Sequence, residues 1–390
     1  MNGKDRRLAE LKKKIPEVTP EEALASQQQG ALLLDVREPD EVANGSPKDA
    51  MRIGRGFLEL RIEQVVPELD SPLLVMCAGG VRSLFAAESL KQLGYQNVRS
   101  VTGGFNLWKN KGLPFEIPQI LDEDARERYA RHLLLPEVGE AGQLQLMASK
   151  VLMIGAGGLG SPAAFYLAAA GVGTLGLVDH DVVDRSNLQR QILHTEARVN
   201  TSKVASAREA IESLNPRIKT IGYETRLDSS NVEEIFSNYD VVVDGSDNLP
   251  TRYLINDACV KLGIPNIHAA VYRFEGQITV FWPGYEKRRG GCYRCMFPEP
   301  PPADAAPSCA EIGVLGVLPG VLGILQAVET IKVLLRLGDP LVGRMLYYDA
   351  LQGAFTQFKL NRNTKCRICG DDAIFSGYDD YAQVCKSTAS

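Results

Sequence analysis

The chain has 390 residues, of which 45% are hydrophobic, and a formal net charge of -5. This length exceeds that of one ordinary domain core and predicts two domains. The negative charge argues against a general nucleic-acid-binding protein and favours a nucleotide or a small protein as the partner.

The most basic segment and the most apolar segment argue against two further classes, secreted proteins and membrane proteins. The basic segment KDRRLAELKKK near the start is followed by no apolar signal core, so we interpret it as a solvated helix and do not predict secretion. The longest apolar run, IGVLGVLPGVLGILQAV, is interrupted by glycines and by Pro319 and is followed closely by Glu329. These features favour a buried helix over a membrane span. We therefore expect a cytoplasmic protein with no membrane partner.

From about Val18 to Phe115, short apolar runs alternate with helical patterns, which predicts βαβ units and a small parallel-sheet domain. Within it, Cys77 opens the run CAGGVRS directly after the apolar segment SPLLVM. Backbone N–H groups of a Gly-rich loop at a helix start, with Arg82 nearby, stabilise a sulfur anion. The pattern predicts a sulfur-carrying cysteine, and the alternative is an inert buried cysteine in a turn.

The segment GLPFEIPQILDED contains two prolines and no periodicity, so we place the interdomain linker there, with the next helix beginning near Asp124. A second, larger α/β pattern starts at SKVLMIG. In it, KVLMI, TLGLVD and YDVVVDGSD are predicted strands, and SPAAFYLAAAG is a predicted helix.

A glycine fingerprint lies between the first strand and the first helix of this second pattern. Gly155, Gly157 and Gly160 form GxGxxG, which allows a tight turn and a phosphate at the helix start. Asp179 ends the next strand, where a carboxylate binds a ribose hydroxyl. Taken alone, these residues fit an NAD-dependent dehydrogenase equally well.

The following polar segment, DHDVVDRSNLQRQ, favours a triphosphate that is cleaved, because it places amide and cationic groups beside the phosphate site. Lys203 follows on the next helical pattern. Asp247, at the end of VVVDGSDN, lies where a strand's carboxyl end opens onto the nucleotide crevice, so it could hold Mg²⁺. The polar groups of the segment are Asn187, Gln189, Arg190 and Gln191.

Eight cysteines in a long acidic chain without a signal peptide indicate metal ligands or nucleophiles rather than disulfides. Two CxxC pairs, Cys292 with Cys295 and Cys366 with Cys369, have 70 residues between them. Four thiolates suit a closed, structural tetrahedral Zn²⁺ site. The alternative is two unrelated redox or buried pairs.

Cys309 lies in APSCAEIG, after the Pro-rich residues 298–307 and before an apolar helical pattern. A thiol at a helix start on a mobile segment could approach an acyl adenylate, and the alternative is a small buried residue. Cys259 and Cys385 receive no predicted role.

Several longer motifs resemble the MoeB/ThiF family, bacterial relatives of ubiquitin-activating enzymes, from about Asp124 to Gly370. They are RYARHLLLPEVGEAGQ, IGAGGLGSPAAFYLAAAGVG, LVDHDVVDRSNLQRQ, VDGSDN and PSCAEIGVLGVLPG. The resemblance implies a Rossmann-like domain in which ATP adenylates the C-terminal glycine of a ubiquitin-like sulfur carrier protein ending in Gly-Gly.

The same resemblance implies roles for individual residues. Arg131, in RYAR, would reach the phosphates of a partner subunit, which implies a homodimer. Cys309 would be the thioester-forming or resolving nucleophile, and the four CxxC cysteines would match the family's zinc site. The implied ligands of ATP and its metal are Gly158, Asp179, Ser186, Asn187, Leu188, Gln189, Arg190, Lys203, Asp247 and Asn248.

Residues 16–118 resemble a rhodanese module, through LLLDVREPDEVANG, the six-residue loop Cys77 to Arg82, and VTGGFNLWKNKGLPF. The resemblance implies a persulfide on Cys77, with Asp35 and Arg37 bracing the fold. In better-known fusions the rhodanese module follows the adenylating domain, whereas here it precedes it. Cys77 could therefore serve the adenylate of its own subunit or that of the dimer partner.

Together these observations predict an α/β protein with a rhodanese-like domain at 16–118 and an adenylation domain at 124–375. The expected catalytic residues are Cys77, Cys309, Arg131, Arg190 and Asp247, with a sulfur donor such as a cysteine desulfurase. Molybdopterin synthesis is the closest match, and thiamine, cysteine, tRNA thiolation or siderophore synthesis would use the same chemistry. The alternatives are an enzyme that only adenylates, an NAD-dependent oxidoreductase and a non-catalytic scaffold.

Overall fold

A computed structural model describes residues 3–117, 120–286, 290–301 and 313–379. Cys309 and Cys385, which the sequence analysis discussed, lie outside the described residues. The chain folds into two compact units that divide between Asp122 and Glu123.

The first unit contains short helices and strands in alternation. Its helices are α1 (Gly3–Lys14), α2 (Pro20–Gln28), α3 (Pro39–Val42), α4 (Leu58–Val65), α5 (Arg82–Gln92) and α6 (Gly104–Asn110), with a 3-10 turn at Arg55–Phe57. Its strands are β1 (Glu17–Val18), β2 (Leu32–Asp35), β3 (Ser46–Pro47), β4 (Met51–Arg52), β5 (Leu73–Met76), β6 (Val98–Val101) and β7 (Phe115–Glu116).

Five of these strands form a parallel sheet in the order β1-β6-β5-β2-β4, and β3 pairs with β7 separately. All four residues of β5 are buried, as expected for a central parallel strand covered on both faces. Leu73 and Val75 pack into one apolar cluster, whereas Leu74 and Met76 pack into another. This alternation fills a core on each face and confirms the predicted small α/β fold.

The basic N-terminal segment is helical as predicted, but it is not solvated all round. Leu11 of α1 is fully buried in an apolar cluster of the first unit. Arg7 on the same helix forms an ion pair with Glu88 of α5 at 2.6 Å. One side of the helix, which carries Leu8 and Leu11 three residues apart, therefore packs on the core, while most of its other residues are exposed.

The second unit is larger. Its helices are α7 (Glu123–Arg128), α8 (Ala130–Leu133), α9 (Gly139–Ala148), α10 (Gly160–Ala170), α11 (Lys203–Leu214), α12 (Val232–Phe236), α13 (Leu249–Leu262), α14 (Tyr293–Met296) and α15 (Leu318–Leu335), with 3-10 turns at Arg185–Asn187 and Glu196–Arg198. Its strands are β8 (Lys150–Ile154), β9 (Thr174–Val178), β10 (Lys219–Tyr223), β11 (Val241–Asp244), β12 (Asn266–Tyr272), β13 (Glu275–Phe281), β14 (Arg344–Asp349) and β15 (Ala354–Lys359).

The strands of the second unit form one eight-stranded sheet in the order β10-β9-β8-β11-β12-β13-β14-β15. The first five are parallel, and the last three add antiparallel to β12. The chain runs from β8 outward to β10 and then returns to the other side of β8 at β11. This reversal is the Rossmann switch point, where a crevice opens at the carboxyl ends of the strands.

The predicted apolar helix is α15, which begins at Leu318. Leu322 and Gln326 are fully buried, and Gln326 donates hydrogen bonds to the carbonyl oxygens of Asp244 and Ile267 at 2.8 and 2.9 Å. Among the described helices, α15 alone has the length and hydropathy of a membrane span, and 56% of it is buried inside the unit. Its packing is that of a core helix, as the sequence predicted.

Candidate functional site

Cys77 directly follows β5, and its loop leads into α5 at Arg82. The Cys77 Sγ atom accepts a hydrogen bond from the backbone N–H of Gly80 at 3.2 Å, and the residue is 1% exposed. The loop thus curls around the sulfur as the sequence predicted. It places the thiol at a helix start, inside the fold rather than on its surface.

A second glycine-containing turn holds the Cys77 loop from outside. The N–H groups of Phe105 and Asn106 donate to the carbonyl oxygens of Cys77 and Ala78 at 2.8 and 3.0 Å. Gly104 has a φ of 56°, and a Cβ atom there would lie 2.1 Å from the Cys77 carbonyl oxygen. Only glycine fits this approach, so the run VTGGF serves to position the sulfur loop.

Two buried or half-buried ion pairs surround the loop. Arg82 donates to both carboxylate oxygens of Glu41 at 2.6 and 2.5 Å. This contact lowers the pKa of Glu41. It also pairs Arg82, the cation that the sequence analysis placed beside the sulfur, with a carboxylate. Arg37 and Asp35 pair at 2.6 Å with both side chains buried, an arrangement consistent with the predicted bracing role.

In the second unit, a cavity of about 350 Å³ opens at the carboxyl ends of β8, β9 and β11. Seven of the residues proposed to bind nucleotide line it, whereas Ser186, Asn187, Leu188 and Arg131, although described, do not. The seven are Gly158, Asp179, Gln189, Arg190, Lys203, Asp247 and Asn248.

The glycines of the fingerprint have distinct tasks. Gly155 has a φ of 89°, and a Cβ on Gly160 would lie 2.0 Å from the Gly155 carbonyl oxygen. These two positions require glycine for the turn and for the close start of α10. A Cβ on Gly157 would meet only the Gln191 side chain, at 3.8 Å. Gly157 lines the cavity and therefore leaves its backbone open to that side.

The carboxylate of Asp179 ties the glycine loop to the next polar segment. Its two oxygens accept hydrogen bonds from the N–H groups of Ala156 at 2.8 Å and Asp181 at 2.9 Å. Lys203 is buried and pairs with Asp181 at 2.8 Å. Burial is the largest single effect and opposes ionisation of Asp181, but the hydrogen bond from Lys203 and the charges of Lys203 and His180 together outweigh it and lower the pKa of Asp181. The ion pair with Asp181 thus fixes the Lys203 side chain at the cavity wall.

A buried histidine supports the same loop. His194 Nε2 lies 3.0 Å from the Ala156 carbonyl oxygen, and Nδ1 lies 2.9 Å from the Ser206 hydroxyl. A neutral imidazole satisfies both contacts when Nε2 donates and Nδ1 accepts. Burial lowers the pKa of His194 and so favours this neutral form.

Arg190 is oriented from the short turn Arg185–Asn187. Its Nη1 donates to the Ser186 carbonyl oxygen at 3.1 Å, and Asp184 caps the turn through the N–H of Ser186 at 2.7 Å. Ser186 therefore contributes its backbone to the position of Arg190. Arg131 is exposed on α8.

Asp247 and Asn248 lie where β11 gives way to α13. The Asn248 side chain caps α13 by accepting from the Thr251 N–H at 3.0 Å, and it donates to Asp247 at 3.3 Å. The Asp247 carboxylate is exposed in the cavity wall. Oxygen ligands of this kind suit Mg²⁺ bound together with phosphate oxygens.

The cavity includes residues that sequence reasoning missed. Thr225 and Arg226 follow β10, and Tyr272 ends β12 with Arg273 directly after it. The strand β10 has no fully buried residue, so it gives no apolar signal that would have directed attention to its carboxyl end.

The four CxxC cysteines converge. The Sγ atoms of Cys292 and Cys366 are 3.6 Å apart, those of Cys295 and Cys369 are 3.4 Å apart, and all four lie within 4.8 Å of one another. Four sulfurs bound tetrahedrally at about 2.3 Å from Zn²⁺ would be roughly 3.8 Å apart. The cluster therefore fits a zinc ion, with no position left for a substrate.

The four-cysteine cluster is joined to α13, the helix that begins at the cavity wall. The Tyr293 N–H donates to Asn256 at 2.6 Å, and Arg294 forms a buried ion pair with Asp257 at 2.7 Å. Asn256 and Asp257 belong to α13, whose capping residue Asn248 lines the cavity. The contacts place the first CxxC pair against the same helix that presents cavity residues.

The family model described as ThiF matches residues 129–368. The chain belongs to the ThiF family. Residues 19–111 match the Rhodanese-like domain model, so the fold class of both units is as the sequence predicted. These matches replace the NAD-dependent oxidoreductase as an explanation of the glycine fingerprint.

Curated relatives share almost half of their aligned residues with this ThiF chain. A sulfur carrier protein adenylyltransferase from Thermus thermophilus is 49% identical over 66% of this chain and 96% of its own length. The adenylyltransferase and sulfurtransferase MOCS3 from Arabidopsis thaliana is 49% identical over 69% of this chain, which spans 59% of that relative. The crystal structure of E. coli MccB with ATP shares the fold, with a TM-score of 0.54 and 22% identity over 62% of this chain and 73% of that one.

Proposed function

We propose that this protein uses ATP to adenylate the C-terminal glycine of a ubiquitin-like sulfur carrier protein and then transfers sulfur to it from a persulfide on Cys77. The observation that carries the proposal is that one chain combines a nucleotide cavity containing Arg190, Lys203 and Asp247 with a cradled thiol. Both activities appear in the names of the relatives.

The first step would take place in the cavity of the second unit. The terminal carboxylate of the carrier attacks the α-phosphate of ATP, and pyrophosphate leaves. Lys203 and Arg190 would offset the charge on the phosphates, and Asp247 would hold Mg²⁺, which supplies further positive charge to the phosphates when bound. Asp179 would bind the ribose while its backbone contacts keep the Gly155–Gly160 loop in place.

The second step would charge Cys77. Its thiolate attacks the terminal sulfur of a persulfide on a donor such as a cysteine desulfurase, and the donor thiolate leaves. The Cys77 persulfide then attacks the acyl carbon of the adenylate, an acyl disulfide forms, and AMP leaves. A second thiolate, for which we propose Cys309, attacks the Cys77 sulfur and releases the carrier as a thiocarboxylate. The resulting disulfide is reduced by a cellular thiol.

Several finer features belong to the same proposal. We place the domain bounds at 16–118 and 124–375 and assign Arg131 to the phosphates of a partner subunit in a homodimer. Zn²⁺ would be structural, bound by the four CxxC cysteines, and the protein would act in the cytoplasm. Molybdenum cofactor synthesis is the favoured pathway.

The test is mass spectrometry of the carrier after incubation with ATP and a persulfide donor, over a panel of carriers ending in Gly-Gly. The wild-type protein should convert its carrier to the thiocarboxylate. Cys77→Ala should retain ATP–pyrophosphate exchange, which serves as its internal control, but should form no thiocarboxylate. A normal thiocarboxylate yield from Cys77→Ala would contradict the sulfur route, and absence of exchange with every carrier would contradict adenylation.

A further inference from the structure

Two buried serines lie beside the sulfur of Cys77. The Ser83 Oγ atom is 3.5 Å from Cys77 Sγ, and the Ser100 hydroxyl donates to Ser83 Oγ at 2.9 Å. Ser83 lies on α5 and Ser100 on β6, and both side chains are fully buried. Three polar atoms therefore form a chain from the sheet to the sulfur, inside the core of the first unit.

The direction of these hydrogen bonds depends on the ionisation of the sulfur. In the neutral form, the Cys77 thiol donates to Ser83 Oγ. Because Ser83 Oγ also accepts from Ser100, the hydrogen of the Ser83 hydroxyl is not used in that contact. A hydroxyl rotates freely enough to direct this hydrogen at the sulfur once the sulfur has lost its own.

A sulfur anion at this position needs such a donor. Cys77 is almost fully buried, and an anion removed from water is stable only if hydrogen bonds replace its hydration. The Gly80 N–H supplies one bond. The charge of Arg82 reaches Cys77, but Arg82 is also paired with Glu41. Arg37, two residues after β2, is paired with Asp35. Glu38 lies close enough to Arg82 to interact with its charge.

We propose that Ser83 and Ser100 form a hydroxyl relay that stabilises the Cys77 thiolate and so prepares it to accept sulfur. Ser83 touches the reacting atom, whereas Ser100 is a positioning residue that acts through Ser83. The inference rests on the proposed sulfur-transfer function for its purpose, but the contacts themselves involve only the first unit.

The relay can be tested on the full-length protein without carrier, ATP or sulfur donor. The rate of Cys77 alkylation by iodoacetamide is measured from pH 5.5 to 9.5 by mass spectrometry of the peptide that contains Cys77. Removing a hydrogen bond to a charged group costs enough that Ser83→Ala should slow alkylation about tenfold at neutral pH. The rate should approach that of the wild type at alkaline pH, where the thiol is ionised without help. Ser100→Ala should produce a smaller slowing, about two- to threefold.

Ser46→Ala is the matched control. Ser46 is also fully buried in the first unit and donates to Asp35 at 2.8 Å, so its removal costs a buried hydroxyl without touching the sulfur. Its alkylation profile should follow that of the wild type. Ser83→Thr, which keeps the hydroxyl, should restore most of the rate lost in Ser83→Ala.

The proposal is overturned if folded Ser83→Ala follows the wild-type profile, or if its rate differs by the same factor at every pH, because that pattern reports access rather than ionisation. If Ser83→Ala does not fold, Ser100→Ala decides, and an unchanged profile in that variant overturns the relay. A protein with the expected profiles that yields no thiocarboxylate would contradict the sulfur-transfer function and leave the relay standing.

Discussion

The two units use the same backbone arrangement for different chemical groups. In each, a buried parallel strand ends in a Gly-rich loop that leads directly into a helix, at Cys77–Arg82 in the first unit and at Gly155–Gly160 in the second. In the first, the turn at Gly104 packs onto the loop and encloses a single sulfur atom. In the second, the loop faces a cavity of about 350 Å³. What packs over the loop, rather than the loop itself, decides the size of the group it can hold.

Loss of the buried cation should affect the open site most. Lys203→Ala removes the charge that we propose to act on the phosphates of ATP and should reduce carrier-dependent ATP–pyrophosphate exchange by about 10²- to 10³-fold. Persulfide formation on Cys77 should continue, because that loop belongs to the other unit. Lys219→Ala, at an exposed position of β10, is the control and should retain full exchange. Equal exchange in both variants would show that Lys203 does not act on the phosphates.

Loss of the proposed metal should lower the melting temperature of the second unit and leave that of the first unit unchanged. Zinc would link residues 292–295 with residues 366–369 in the second unit only. We expect Cys366→Ser to bind no zinc and to lower the melting temperature of the second unit by roughly 10 °C, measured by calorimetry with metal analysis. The transition of the first unit should stay in place. Cys77→Ala should keep its zinc, and an unchanged second transition in Cys366→Ser would argue against a structural metal.

The packing around the Cys77 loop should tolerate a methyl group at Gly79 but not at Gly104. Gly104→Ala places a Cβ atom 2.1 Å from the Cys77 carbonyl oxygen, whereas a Cβ atom on Gly79 would meet nothing within 4 Å. Gly104→Ala should therefore lower the free energy of unfolding of the first unit by about 1–3 kcal/mol, and Gly79→Ala by less than about 0.5 kcal/mol. Denaturant titration measures both, and a loss of similar size in the two variants would contradict the packing over the loop.

Acidification should weaken the second unit more than the first, because all four histidines lie in the second. Burial lowers the pKa of His194, and it also lowers the pKa of His268 despite the hydrogen bond to Asp244. The unfolded chain therefore binds more protons, and stability present above about pH 6.5 is lost as the pH falls below that value. His194→Gln should be less stable at neutral pH but should lose less stability on acidification, as thermal unfolding at several pH values would show. A steeper loss in this variant would contradict a neutral His194.

The sequence predicted both loops because their neighbouring strands are continuous apolar runs and their glycines have regular spacing. The convergence of the four CxxC cysteines was equally predictable, since two CxxC pairs suit only a few arrangements. Other features depend on partners distant in sequence. Nothing local indicates that Arg82 pairs with Glu41, that Ser100 of β6 reaches Ser83, or that the ends of β10 and β12 contribute Arg226 and Tyr272 to the cavity.

The four-cysteine cluster has a consequence for how the protein is made. All the described residues that line the cavity of the second unit lie between Ile154 and Pro319, so they leave the ribosome before Cys366 and Cys369. The first CxxC pair, already packed against α13 through Arg294, must wait about 70 further residues for its partner pair. Because domains begin to fold during synthesis, the nascent cavity would form first as a metal-free intermediate. Metal binding would then be the last step in the folding of the second unit. Cells short of zinc would accumulate chains in which the cavity has formed but the two CxxC pairs are not linked.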